Sequence, residues 1–196
     1  MKKRETLPPT NRFDDKKLQQ GVKLLLEGMG VDLSDRNYKD TPARVTRMYR
    51  ELFTPRHNSF ATFPEQHDSM VILRGHVVHG VCPHHLVPVE MRVYVGYIPH
   101  KEVLGLSKLA RVAEQPLTGP IMQETYTDAV VDLLQHATDA KGAGVVVVGR
   151  HGCMRHRGVR SDADVVSSAM RGLFMTNHPT RDEFLRMIGY PRVEAR

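Results

Sequence analysis

Two amphipathic helices are predicted from the apolar pattern near the N-terminus. The first begins at Asp14 and Asp15 and ends at Gly28 and Gly30, and its apolar residues recur with the 3.6-residue period of a helix. The second begins at Asp40-Thr41-Pro42, where a capping residue is followed by an early proline. The apolar residues are Leu18, Val22, Leu25, Leu26 and Met29 in the first helix, and Val45, Met48, Tyr49 and Leu52 in the second. We interpret both stripes as core-facing.

The rest of the chain carries strand signals interleaved with helical ones. From Val87 to Tyr97 every odd-numbered residue is apolar, while Glu90 and Arg92 occupy the other face, and Pro99 closes this predicted strand. The remaining predictions are strands over 70–73, 145–148 and about 164–170, helices over 107–114, 121–137 and 179–188, and a break over 116–120. The length of 196 residues fits one domain with an accessory helical segment.

The two cysteines each lie within a group of histidines. Cys82 and His85 have the C-x-x-H spacing that lets one turn aim both side chains at an ion, and Cys153 offers a third ligand. Six of the 11 histidines lie within a few residues of a cysteine: His76, His79, His84, His85, His151 and His156. Three protein ligands leave a fourth tetrahedral position for water, as in a catalytic zinc site.

Two other interpretations of the cysteines stay open at this point. They could form a disulfide, although the opening residues lack the apolar run of a signal peptide and disulfides are rare in the cytoplasm, the location we expect. They could also be buried, inert thiols, because a free cysteine packs as a small hydrophobic residue.

The charge of the chain favours an anionic partner. The formal net charge is +6, and four arginines surround the second cysteine: Arg150, Arg155, Arg157 and Arg160. Arginines beside a candidate metal indicate a phosphate-bearing substrate, although a solvated basic face gives the same pattern. We expect no membrane partner, since no stretch reaches the roughly 18 apolar residues of a membrane helix. We also expect no nucleic-acid partner, since no aromatic residues interleave with the basic ones as in surfaces that stack bases.

Five motifs in register resemble those of the GTP cyclohydrolase I family. They are Cys82-x-His84-His85, Gly105-Leu106-Ser107-Lys108-Leu109-Ala110-Arg111, Gln123-Glu124, His151-x-Cys153 and Arg157-Gly158-Val159-Arg160. Thr41-Pro42 and Met48-Tyr49 extend the match into the N-terminal helices. The resemblance implies an α+β T-fold, an antiparallel sheet with helices on one face, assembled as a homodecamer of two pentamers. It divides the chain into a flexible arm (1–13), a helical segment (14–60) and a T-fold catalytic domain (61–196).

The resemblance also implies a reaction and a role for each matched residue. The family converts GTP to 7,8-dihydroneopterin triphosphate and formate, a first step towards folates, other pterins or deazaguanines. By this resemblance Cys82, His85 and Cys153 hold Zn²⁺, and His84 and His151 are the acid–base histidines. Glu124 receives the guanine with Gln123 alongside, Lys108, Arg111 and Arg157 neutralise the triphosphate, and Ser107 lies near the ribose or phosphates.

The sequence departs from the family pattern near the expected guanine pocket. Pro83 replaces a frequent glutamate, Thr125-Tyr126 replaces an Arg-Leu pair, the segment 115–120 is unusual for a helix, and the turn after Arg160 is about one residue short. A second hypothesis is therefore a related enzyme that stops at a formamidopyrimidine or uses a modified guanine nucleotide. A third hypothesis is a basic nucleic-acid-binding protein with a purely structural zinc.

Overall fold

The computed structural model describes residues 3–5, 13–54, 59–64 and 68–189. Its helices are α1 (Asp15–Gly28), α2 (Thr41–Phe53), α3 (Leu106–Glu114), α4 (Gln123–Thr138), α5 (Gly152–Arg155), α6 (Leu173–Thr176) and α7 (His178–Met187). Its strands are β1 (Lys3–Glu5), β2 (Ser59–Pro64), β3 (Val71–Val81), β4 (Pro88–Ile98), β5 (Glu102–Leu104), β6 (Gly142–His151) and β7 (Val165–Gly172). Most of the predicted arm, residues 1, 2 and 6–12, lies outside the described residues.

An antiparallel four-stranded sheet with the order β3-β4-β6-β7 forms the centre of the fold. A smaller sheet has the order β1-β2-β5. The α+β class with an antiparallel sheet agrees with the expectation from sequence. The predicted strand over 70–73 was too short, because β3 continues to Val81 past an irregularity between Leu73 and His76. Gly75 has a positive φ of 67° there, so the alternation of side chains that marks a strand is interrupted.

The main core lies between the large sheet and the helices α3 and α4. The inward residues of β4 alternate, with Val93, Val95 and Tyr97 fully buried, and those of β6 meet the same cluster. The short pair α6 and α7 covers one end of the opposite face, where Phe174 and Phe184 pack edge to face with ring centroids 5.3 Å apart. The helices α3 and α4, which carry most of the predicted substrate residues, thus pack on the sheet whose strands β3 and β6 lead into the two cysteines.

Both N-terminal helices form where the sequence predicts them, but the first is not core-facing. Asp14 caps α1 by accepting a 3.0 Å hydrogen bond from the backbone N–H of Lys17. No residue of α1 is buried, and Leu25 and Met29 are each 62% exposed. The reason is that α1 packs chiefly against α2, so only one edge of its apolar stripe is covered in the single chain.

None of the described helices is both long enough and apolar enough to cross a lipid bilayer.

Candidate active site

A tight turn at the end of β3 presents Cys82 and His85 on one side of the sheet. The backbone N–H of Leu86 donates to the carbonyl of Cys82 at 2.9 Å, and the N–H of Cys82 donates to the carbonyl of Val87 at 2.9 Å. Leu86 has a φ of 55°, a left-handed conformation that is strained for a branched residue. Tyr49 of α2 donates to the Leu86 carbonyl at 3.1 Å and so helps to hold the turn. The C-x-x-H spacing thus occurs on a turn, as predicted.

The second cysteine reaches this turn because β4 and β6 pair in register to their ends. Val89 of β4 lies opposite His151 of β6, so the residues after His151 fall beside the start of β4. A Cβ at Gly152 would lie 2.9 Å from the carbonyl oxygen of Pro88, so only glycine permits this close approach. Cys153 follows on α5, and the ligand atoms of Cys82, His85 and Cys153 all lie within 4.8 Å of one another.

This donor set fits a zinc ion. Two thiolates and one imidazole are typical zinc ligands, and tetrahedral bonds of about 2.0–2.3 Å would place the ligand atoms about 3.5–3.8 Å apart. The Cys82 Sγ to His85 Nδ1 distance is 3.9 Å, close to that spacing. Both cysteines are free thiols, so the disulfide interpretation is wrong for this structure. The three donors therefore form a candidate metal centre with a fourth position left for a small ligand.

The charges around the two cysteines favour a bound cation. Burial raises the pKa of the Cys153 thiol and the adjacent Cys82 raises it further, whereas the positive charge of Arg157 lowers it. Two thiolates this close repel each other unless a cation lies between them. A guanidinium nitrogen of Arg157 lies 3.1 Å from His85 Nε2, so the loop that follows α5 brings a positive charge to the cluster.

His151 lies at the end of β6 beside the start of α4. Its Nε2 lies 2.8 Å from Oε1 of Gln123. Burial lowers the pKa of the His151 imidazole, and the carboxylate of Glu124, on the first turn of α4, opposes that shift. Gln123 and His151 are thus in contact, and Glu124 lies close enough to act on the imidazole.

His84 lies in the turn beside the cluster. Its ring is exposed and stands edge-on to that of His85, with centroids 6.4 Å apart. It has no hydrogen-bond partner among the described residues, so its ring is free to meet a bound molecule.

The predicted phosphate-binding residues fall into two groups. Ser107, Lys108 and Arg111 lie on α3, and within the described residues no hydrogen bond or ion pair joins them to the cysteine cluster. Arg157 touches the cluster directly, through His85. Two other arginines of the basic run form ion pairs with aspartates. Arg150 pairs with Asp164 at 3.3 Å, and Arg155 pairs with Asp162 at 2.9 Å.

Three residues that support the site were missed by sequence reasoning. Thr127 and Ser167 share a 2.7 Å hydrogen bond beside Gln123, and Gly149 lies on β6 next to its amide. Thr127 follows Gln123 by one helical turn, and this i, i+4 spacing of polar residues on an otherwise buried face was the available signal. Ser167 and Gly149 carry no such signal, because their proximity depends on the pairing of β6 with β7.

A cavity of about 380 Å³ lies elsewhere, between α2, β3 and α3. Its lining includes Met48, Leu52, Val77, His79 and Glu114, and none of the predicted site residues.

The sequence matches the family model for GTP cyclohydrolase I over residues 18–189. The chain belongs to the GTP cyclohydrolase I family. It is 36% identical over 179 residues to GTP cyclohydrolase 1 of a Hydrogenobaculum species, covering 90% of this chain and 98% of the relative. It is 38% identical over 179 residues to GTP cyclohydrolase 1 of Aquifex aeolicus, covering 90% of this chain and 97% of the relative.

Among solved structures, the chain has a distant likeness to an archaeosine synthase QueF-Like in the apo form. The TM-score is 0.46 at 20% identity, over 55% of this chain and 97% of that chain. At this level the likeness adds nothing to the assignment of function.

Three departures from the GTP cyclohydrolase I pattern have a clear place in the structure. Pro83 is exposed in the turn between the cysteine and the histidines, where its missing N–H leaves the two backbone hydrogen bonds of Cys82 intact. Tyr126 is fully buried between α3 and α4. The segment 115–120 is a non-helical connection, as predicted, and Leu117 in it packs against the core.

Proposed function

We propose that this chain is a zinc-dependent GTP cyclohydrolase I that converts GTP to 7,8-dihydroneopterin triphosphate and formate. The observation that carries the proposal is the convergence of Cys82, His85 and Cys153 within 4.8 Å, at strand ends that also present His84, His151 and Arg157. A protein that only needed a structural zinc would be expected to close the site with a fourth ligand.

The metal and the histidines divide the chemistry between them. Cys82, His85 and Cys153 would hold Zn²⁺, which would supply the Lewis acidity that makes water nucleophilic near neutral pH. His84 and His151 then move protons as the imidazole ring opens, formate leaves and the ribose rearranges. Imidazole suits this work because its ordinary pKa lies near the operating pH.

Substrate recognition is assigned to the remaining matched residues. The exposed carboxylate of Glu124 accepts hydrogen bonds from N1 and the 2-amino group of guanine, whereas the amide of the neighbouring Gln123 is buried and bonded within the protein. Arg157, Lys108 and Arg111 neutralise the triphosphate, and Ser107 contacts the ribose or a phosphate. Arg157 supports this assignment because its charge lies at the cysteine cluster. Arg150 and Arg155 are left out of the assignment because each is paired with an aspartate.

The assembly we propose is a homodecamer of two pentamers. Val77 on β3 and Val166 on β7 are 43% and 47% exposed, on the two outer strands of the four-stranded sheet. Outer strands with exposed apolar residues favour pairing with another chain. We also propose a cytoplasmic location for the protein, because cysteines stay reduced there and remain able to bind a metal. Sedimentation equilibrium tests the decamer, and a monomer with full activity would contradict it.

The decisive experiment is to incubate the zinc-loaded protein with GTP and to follow formate and the absorbance of the product, with a chelator-treated control. Metal-dependent formate together with a pterin chromophore is expected. Formate with a stable formamidopyrimidine as the sole product would instead support the related enzyme that stops early, an alternative motivated by Pro83 and Thr125.

The nucleic-acid-binding alternative is disfavoured by how the basic run is used. Arg150 and Arg155 each form an ion pair with an aspartate, which reduces the positive charge available to a phosphate backbone. That alternative predicts binding to RNA or DNA that weakens steeply with salt and is unaffected by loss of Glu124. Neither behaviour is expected of a GTP-specific pocket.

A further inference from the structure

The amide of Gln123 is fully engaged inside the protein. The side chain is buried, with 4% of its surface exposed. Its nitrogen has three acceptors within hydrogen-bond distance, the backbone carbonyls of Val147 at 3.2 Å and Val165 at 2.9 Å and the hydroxyl of Ser167 at 3.0 Å, and its two protons are shared among them. Its oxygen lies 2.8 Å from Nε2 of His151.

These contacts fix which end of the amide faces the histidine. If the amide were turned over, its oxygen would face the carbonyl oxygens of Val147 and Val165, and three acceptors would meet with no proton between them. The nitrogen must therefore point at the carbonyls and the oxygen at His151. Because an amide oxygen only accepts, Nε2 of His151 must be the donor, and the neutral ring carries its proton on that nitrogen.

The surroundings of Gln123 hold this arrangement. A Cβ at Gly149 would lie 2.0 Å from the amide oxygen of Gln123 and 3.1 Å from Nε2 of His151, so a side chain there would occupy the place of the contact. The hydroxyl of Thr127 donates to the backbone carbonyl of Gln123 at 2.7 Å and also bonds Ser167. Strand β6, strand β7 and helix α4 thus all contribute to holding one amide against one imidazole.

We propose that Gln123 is a positioning residue that fixes the tautomer of His151, so that the neutral ring carries its proton on Nε2 and presents the free lone pair of Nδ1. The inference rests on the proposed acid–base role of His151, and it assigns that role to one ring nitrogen, Nδ1. In the neutral ring Nδ1 has the only free lone pair, since the Nε2 proton is held by Gln123.

The tautomer is tested by neutron diffraction from crystals of the wild-type protein at about pH 8, above the ordinary pKa of histidine. Deuterium on Nε2 of His151 and none on Nδ1 is expected. Deuterium on Nδ1 with Nε2 bare would overturn the proposal, because Gln123 would then have no proton to accept. This readout does not depend on activity: a protein that fails to turn over GTP refutes the proposed function, while the deuterium position still decides the tautomer.

The consequence for turnover is tested with Gln123→Met, which keeps the length of the side chain and removes the amide. We expect kcat for GTP to fall about 10- to 100-fold with KM within about threefold, since a mis-set general acid–base group costs rate rather than binding. Unchanged kcat would assign Gln123 a structural role only and overturn the proposal.

Thr138→Val is the matched control, since it removes a buried hydroxyl of the same helix α4 that bonds the Leu134 carbonyl at 2.8 Å and neither Gln123 nor His151. It is expected to lower the melting temperature and to leave kcat within about twofold of wild type. An equal fall of kcat in Thr138→Val would attribute the effect to a general loss of stability and count against the proposal. If Gln123→Met does not fold, the neutron result still stands as the test.

Discussion

The hydroxyl of Tyr126 donates a 2.8 Å hydrogen bond to the backbone carbonyl of Ala113, which ties α4 to α3. Tyr126 is fully buried, and burial raises the pKa of its hydroxyl, so it remains a neutral donor throughout the working pH range. One helix carries Gln123 and Glu124, and the other carries Lys108 and Arg111. The departure of the sequence at Tyr126 therefore acts on the spacing of two substrate-binding helices.

We expect Tyr126→Phe to lower the apparent free energy of unfolding by about 1–2 kcal/mol, because the Ala113 carbonyl is left buried without its donor. Chemical denaturation at matched protein concentration measures this. Tyr38→Phe is the control. Tyr38 is exposed, so loss of its hydroxyl should lower the free energy of unfolding by less than about 0.5 kcal/mol. Equal losses in the two variants would show that the Tyr126 bond contributes nothing specific.

Gly149→Ala should disrupt the same site as Gln123→Met. The added Cβ would stand 2.0 Å from the Gln123 amide oxygen, so the side chain must leave His151. We expect a comparable fall in kcat, and the double variant should be no slower than the worse single one, because both changes break one contact. Steady-state kinetics on the three proteins measures this coupling, and independent, multiplying losses would contradict a shared cause.

Gly21→Ala should stabilise the protein. Gly21 lies in the middle of α1, and a Cβ there meets nothing within 4 Å. Alanine in place of an exposed helical glycine is worth about 0.5–1 kcal/mol, chiefly through the entropy of the unfolded chain. A rise in the thermal midpoint with unchanged kcat is expected, and a fall would mean that this face of α1 is covered in the assembled protein.

Cys153→Ala should abolish metal retention, since Cys82 and His85 alone seldom hold zinc tightly. His84→Ala is the control: it should keep the metal and slow turnover about 10²–10⁴-fold, as for a lost acid or base. Elemental analysis of the purified proteins, together with kcat, separates the two effects. A His84 variant that turns over normally would remove His84 from the mechanism.

Arg157→Ala should raise KM for GTP more than Arg150→Ala does. Arg157 lies at His85 and has no carboxylate partner within the described part of the chain, whereas Arg150 is paired with Asp164 on the surface. The surface pair is worth at most about 1 kcal/mol, so Arg150→Ala should change KM by less than about threefold. Kinetics at two salt concentrations measures both, and equal effects would point to a diffuse basic surface rather than a specific contact.

The local pattern was sufficient for β4, for the two N-terminal helices and for the turn that carries Cys82 and His85. The alternation over 87–97 predicted β4, because a half-buried strand shows its period directly. The C-x-x-H pair needed only a turn, so its geometry follows from spacing. Cys153 was linked to it by chemistry and resemblance, since nothing local indicates that β6 ends beside the start of β4.

The structural features that the sequence pattern did not predict depend on long-range packing. The exposure of Leu25 and Met29 follows from how little of the chain lies over α1, which periodicity does not reveal. The short strand β5 is fixed by Tyr97, whose hydroxyl accepts a 2.8 Å hydrogen bond from the backbone N–H of Leu104. The Gln123 amide likewise acquires its partners only once β6 and β7 have paired.

The distance along the chain between the two cysteines has a consequence for biosynthesis. Cys82 and Cys153 are 71 positions apart, and they meet only through the register of β4 with β6. A growing chain on the ribosome therefore exposes Cys82 and His85 as an incomplete, weak chelator until β6 has emerged and docked. For the zinc enzyme proposed above, metal capture would be one of the last events of maturation, and the metal content of a preparation would report how many molecules completed their central sheet.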